Sequence, residues 1–229
     1  MNSTIAKTDA QIKHDVLDEL KWDTRVKETD VGVEVHAGTV TLSGTVDSWT
    51  TRLAAQEAAH RVQGVLDVAN EVSVKLPGSF ERDDTDIAKA VRAALEWDVL
   101  VPQGRIRTTV SKGIVTLEGS VDHWSQYDDA ARAVRNLFGV REVNNRIVVE
   151  PPTAPDASPQ RVRSNIERAL ERHAGHAAKR VHIEVSGGKV TLTGDVPSWS
   201  ERKVIEGAVR GTPGVWNVVS QLRVVAAIG

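Results

Sequence analysis

The sequence predicts an α+β protein made of three tandem α-β-β-α-β domains, each a three-stranded mixed sheet with two helices on one face. Three observations predict it: glycines and tryptophans that recur every 75 residues, apolar residues four apart at the start of each unit, and short alternating runs between turn signals.

The repeat fixes the organisation. Gly44, Gly119 and Gly194 are 75 residues apart, as are Trp49, Trp124 and Trp199, then Gly64, Gly139 and Gly214, then Leu20, Leu95 and Leu170. The register therefore holds from one end of each unit to the other. Between the units lie PGSFERD, residues 77–83, and PPTAPDASP, residues 151–159, whose Pro, Gly and Ser break helix and strand. These segments place the domains at 9–76, 84–150 and 159–226.

Each unit opens with one apolar helical stripe: Ile12, Val16 and Leu20; Ile87, Val91 and Leu95; Val162, Ile166 and Leu170. Alternation at Val31, Val33 and Val35, a turn at Gly38 and a second run through Val40, Leu42 and Val46 predict a β-hairpin. After Trp49 a second helix carries small apolar residues, Ala55, Ala58, Ala59 and Val62, which let its backbone lie close to the sheet, and Gly64-Val65 stops it. Val68, Val72 and Val74 form a third strand. Joining a hairpin to a helical crossover requires a mixed sheet. A unit of about 65 ordered residues buries only about 60% of its unfolded surface, so docking between copies is expected.

Hydrophobic content of 40% and charged content of 26% are ordinary globular values. No run approaches the roughly 18–20 apolar residues that cross a bilayer, and MNSTIAKTDAQIKHD lacks the pattern of a signal peptide. With no cysteine, disulfides, thiolate catalysis and cysteine-based zinc sites are excluded, and the expected location is cytoplasmic.

Catalytic signatures are absent: no nucleophile elbow, phosphate-cradling loop or metalloprotease pattern occurs. His173, His176 and His182 are spaced like a metal clasp, but they do not recur between units and no ligand set completes them, so a solvated surface accounts for them. No enzyme activity, metal or cofactor is expected. The residues that do recur, among them Thr41, Thr116 and Thr191 and the pair Asn70 and Asn145, have ordinary structural explanations.

Two features carry functional information. Trp49, Trp124 and Trp199 precede the second helix, where the ring either closes the edge of a small core or serves an interface; Ser198 and Glu201 form a capping-box pattern beside the last of them. Trp22 and Trp97 end the first helices of two units, and the third has Arg172 there. Net charge climbs from −5 in unit one through −1 to +5 in unit three. The basic residues cluster at Arg161, Arg163, Arg168, Arg172, Lys179 and Arg180, as a solvated helix face, a site for an anionic surface, or a site for acidic unit one of this or another molecule.

The run GTVTLSGTV, residues 38–46, with the alanine-rich helix, Gly64-Val65 and Asn70-Glu71-Val72, resembles the BON domain family. Its counterparts are GIVTLEGSV, residues 113–121, with Gly139-Val140 and Asn145, and GKVTLTG, residues 188–194, with Gly214-Val215. The resemblance covers nearly the whole chain and implies phospholipid binding and a part in envelope or osmotic stress. Many members of the family are periplasmic, whereas no signal peptide is seen here. Since the matched residues determine the fold, no ligand site comes with them.

The expected function is peripheral, non-enzymatic binding to an anionic phospholipid surface through the basic cluster of unit three. The alternative is an adaptor or homo-oligomer in which acidic unit one meets basic unit three. Nucleic acid ranks third, because only unit three is basic and no aromatic and basic platform is evident.

Overall fold

A computed structural model describes residues 7–150, 158–173 and 180–225. The first repeat runs α1 (Asp9–Trp22), β1 (Val31–His36), β2 (Thr39–Val46), α2 (Trp49–Arg61), β3 (Asp67–Asn70) and β4 (Ser73–Val74). The second runs α3 (Asp84–Trp97), β5 (Ile106–Ser111), β6 (Ile114–Val121), α4 (Trp124–Arg135) and β7 (Glu142–Val149). The third runs α5 (Pro159–His173), β8 (Val181–Ser186), β9 (Lys189–Val196), α6 (Trp199–Arg210) and β10 (Asn217–Val224).

Each repeat makes its own mixed sheet, as the sequence predicts. The hairpin strands pair antiparallel, and the strand after the second helix joins the middle strand in parallel. In the first repeat that last strand is broken into β3 and β4. Asn70 sits at the break: its Oδ1 accepts from the Val72 amide at 3.2 Å and its Nδ2 donates to the Arg52 carbonyl at 3.2 Å. Asn145 ties β7 to α4 in the same way, donating to the Tyr127 carbonyl at 2.9 Å.

The apolar stripes are the core. Val16, Leu20, Val91 and Ile166 are buried, as are the α2 alanines Ala54, Ala55, Ala58 and Ala59. In the third repeat Val162, Ile166 and Leu170 of α5 pack with Ile183, Val190, Leu192, Ile205 and Leu222 into one cluster. Each fully buried side chain of this size contributes about 1.5–3 kcal/mol. A glycine is required where β2, β6 and β9 pass the preceding turn: Gly44, Gly119 and Gly194 have φ of 119°, 132° and 136°. A Cβ there would overlap the carbonyl of Asp30, Arg105 or Arg180.

The start of the first helix also anchors the hairpin turn. Asp9 accepts hydrogen bonds from the Ala37 and Gly38 amides at 2.8 and 2.9 Å, and Asp84 accepts from Lys112 and Gly113 at 2.8 and 2.9 Å. The chain gathers into two compact units, one combining the third repeat with residues up to 45 and 52–73, the other combining residues 46–51 with the second repeat.

Candidate anion-binding groove

In the first repeat an ion-pair network fills the space between the two helices. Arg61 of α2 reaches Glu19 of α1 and donates to Asp23 at 3.0 Å. Arg25 donates to Asp23 at 2.8 Å and to Glu57 of α2 at 3.2 Å. Hydrogen bonds from Arg25, reinforced by Arg61, hold the Asp23 carboxyl well below the usual carboxylate range.

Step 150 residues along the chain and this network is gone. Ala169 replaces Glu19, His173 replaces Asp23, Gly175 replaces Arg25, Gly207 replaces Glu57 and Gly211 replaces Arg61. Ala169, Gly207 and Gly211 are smaller than Glu19, Glu57 and Arg61, which they replace. The result is a groove of about 620 Å³ between α5 and α6, lined by Arg168, Arg172, Lys203, Ala169, Gly207 and Gly211. A Cβ built on Gly207 would meet nothing within 4 Å. Two guanidinium groups and one ammonium around an open trough suit an oxyanion such as phosphate, which arginine binds with paired N–H donors.

Of the basic residues singled out in the sequence, Arg168 and Arg172 line this groove. Arg168 also donates to Asn165 one turn earlier. Arg163 pairs with Glu167 at 3.0 Å and borders a separate depression beside His182 and Lys189. Arg161 and Arg180 are exposed and do not line the groove, and Lys179 lies outside the described residues. Lys203 was not singled out because it sits on α6, far from the basic cluster. The signal for it is Gly207 within α6 and Gly211 at its C-terminal cap, where the first repeat has Glu57 and Arg61.

The tryptophan that opens α6 lies against the first repeat. Trp199 seats on the first repeat, donating from Nε1 to the Leu66 carbonyl at 2.9 Å and stacking on His60 with centroids 4.6 Å apart. The Arg202 guanidinium covers its ring at 4.8 Å, and Lys203 lies 3.7 Å from Glu57. Burial in this contact pushes the His60 imidazole down from its ordinary value. Ser198 caps α6 by accepting from the Glu201 amide at 3.2 Å. Trp22 and Trp97, in contrast, are 82% and 87% exposed, and Trp97 is followed by Val99 at 96% and Leu100 at 62%.

Among the described residues no group of acidic, histidine or cysteine side chains is placed to hold a metal, and no helix is long and apolar enough to cross a membrane. Residues 8–75, 83–151 and 159–226 each match the description of the BON domain. The osmotically-inducible protein Y of Escherichia coli (strain K12) is 32% identical over 124 residues, which are 52% of this chain and 62% of that protein. The aligned part is thus less than two thirds of that relative's length. A solved structure of CdsD, a structural protein of the type III secretion system of Chlamydia trachomatis, is 16% identical, with 93% of this chain and 92% of that one covered, at a TM-score of 0.26. At that score the overlay is too loose to carry an argument.

Proposed function

This chain belongs to the BON domain family, and from that premise we propose that it is a non-enzymatic protein that binds peripherally to anionic phospholipid surfaces through its third repeat, in the setting of envelope or osmotic stress. The observation that carries this reading is the groove in which Arg168, Arg172 and Lys203 stand where the first repeat has a self-satisfied ion-pair network. Each such cation near an anionic surface contributes about 1 kcal/mol. The apolar stripe Val162, Ile166 and Leu170 is consumed by the core, so attraction through this repeat is electrostatic and fades with salt. The exposed Trp97, Val99 and Leu100 of the second repeat add an amphipathic tip suited to the headgroup boundary. The stress setting rests on the relative's name, osmotically-inducible protein Y.

Co-sedimentation with vesicles tests this. The chain binds vesicles containing phosphatidylglycerol, does not bind pure phosphatidylcholine, and is released by salt. Arg168→Glu with Arg172→Glu abolishes binding while the protein stays folded by circular dichroism. Unchanged binding by that folded variant, or equal binding to neutral vesicles, overturns the proposal. The adaptor reading has one point in its favour, the Lys203–Glu57 and Trp199–Leu66 contacts between basic and acidic repeats. Because these form within one chain, an adaptor built on them would need the contact to open. Concentration-dependent mass in light scattering would reveal that exchange.

A further inference from the structure

In two repeats the hairpin turn grips a carboxylate with two consecutive backbone amides, and the distances are the same in both. Asp9 binds Ala37 and Gly38 at 2.8 and 2.9 Å, and Asp84 binds Lys112 and Gly113 at 2.8 and 2.9 Å. At Asp9 the Gly38 and Ala37 amides hold the carboxyl below its ordinary value. The third repeat keeps the turn and loses the acid. At the position of Asp9 and Asp84 stands Pro159, which has no carboxylate to offer.

The turn itself is little changed. Gly187 and Gly188 have φ of 56° and 85°, against 49° and 76° at Ala37 and Gly38 and 51° and 77° at Lys112 and Gly113. It is also held in place, by the Ser186–Lys189 pairing at the end of the hairpin and by Trp216, whose Nε1 donates to the Gly187 carbonyl at 2.7 Å. Among the described residues neither the Gly187 nor the Gly188 amide donates a hydrogen bond. Gly187 is exposed, and a Cβ on it would meet nothing within 4 Å among the described residues, whereas Gly188 is buried beside Trp216 and the Gly214 carbonyl. Lys189, next in the chain and exposed, adds positive charge.

We propose that the Gly187 and Gly188 amides form a bidentate receptor for a carboxylate brought by an acidic side chain of a peptide partner. The sister repeats supply the geometry such a ligand adopts, one carboxylate oxygen to each amide. A turn already fixed in the receiving conformation binds without an ordering cost, and hydrogen bonds to an ionised acceptor are stronger than neutral ones. This site lies on the hairpin turn, so it stands or falls independently of lipid binding at the helix groove.

The test is an amide-shift titration of the ¹⁵N-labelled full chain with sodium acetate, against sodium chloride at matched ionic strength. The Gly187 and Gly188 resonances move downfield and saturate with acetate alone, while Gly38 and Gly113, already bonded to Asp9 and Asp84, stay still. A short peptide centred on aspartate reproduces the shift, and its asparagine counterpart does not. Pro159→Asp restores a tethered acid, shifting both resonances without acetate and removing the response to it. No saturable shift beyond chloride, or equal movement at Gly38 and Gly113, overturns the proposal. The wild-type titration decides the matter even if the variant fails to fold.

Discussion

Removing Trp199 should uncouple the first repeat from the third. Its Nε1 hydrogen bond to the Leu66 carbonyl is worth about 0.5–1.5 kcal/mol, its stacking on His60 about 0.5–1.5 kcal/mol, and the Arg202 contact about 0.5–1 kcal/mol. Trp199→Ala therefore costs about 1.5–4 kcal/mol, a large share of the roughly 5–15 kcal/mol that holds a domain folded. Trp199→Phe keeps a ring over His60 and loses only the hydrogen bond, about 1 kcal/mol. Urea denaturation followed by circular dichroism measures both. The decisive figure comes from the double-mutant cycle with His60→Ala, which should return a coupling of about 0.5–1.5 kcal/mol. If the two substitutions are additive, or if Trp199→Phe is as stable as wild type, the seat on the first repeat is not where the energy lies.

Acidification should weaken the same contact. The His60 pKa is depressed by burial between the repeats, so the docked state binds fewer protons. Its stabilising effect is complete above the free value of about 6.5 and declines as pH falls through the lower docked value; His60→Phe should flatten this part of a melting-temperature profile against pH. Asp23, whose side chain is 7% exposed and bonded to Arg25 and Arg61, has a lowered pKa and stabilises the fold above about pH 4, an effect lost as pH falls further. Asp23→Asn should cost about 1–3 kcal/mol at neutral pH, and the gap to wild type should narrow in acid denaturation. Gly207→Ala should raise stability by up to about 1 kcal/mol in thermal melts, because the residue sits in a helix interior with open space around its Cβ.

Much of this protein is written locally, and that part was readable. Ile12, Val16 and Leu20 declare a helix by their spacing, and Val31 to Val35 declare a strand by alternation, because burial of one face imposes the period on the sequence. The groove is written differently. Glu19, Asp23, Arg25, Glu57 and Arg61 form one network across up to 42 residues of chain, and no short pattern announces such a set. Its absence from the third repeat shows only when the copies are laid over each other and Gly207 and Gly211 are matched to Glu57 and Arg61. The seat of Trp199 was unreadable for another reason. A ring recurring in every copy looks structural within the copy, whereas its partners Leu66 and His60 belong to a different one.

The pairing of the first repeat with the third bears on how this chain can change in length. In an open array each copy leans only on its neighbours, so copies can be gained or lost at either end with little penalty beyond a new cap. Here the hydrogen bond from Trp199 to Leu66 joins positions 133 residues apart. Deleting the first copy would strip Trp199 of its seat, and deleting the third would uncover His60 and Leu66. Inserting a fourth copy between them would lengthen the loop, which itself costs little, but would have to leave both ends able to meet. The contact between the first and third copies is therefore lost when either of them is removed, which a chain whose copies leaned only on their neighbours would not show.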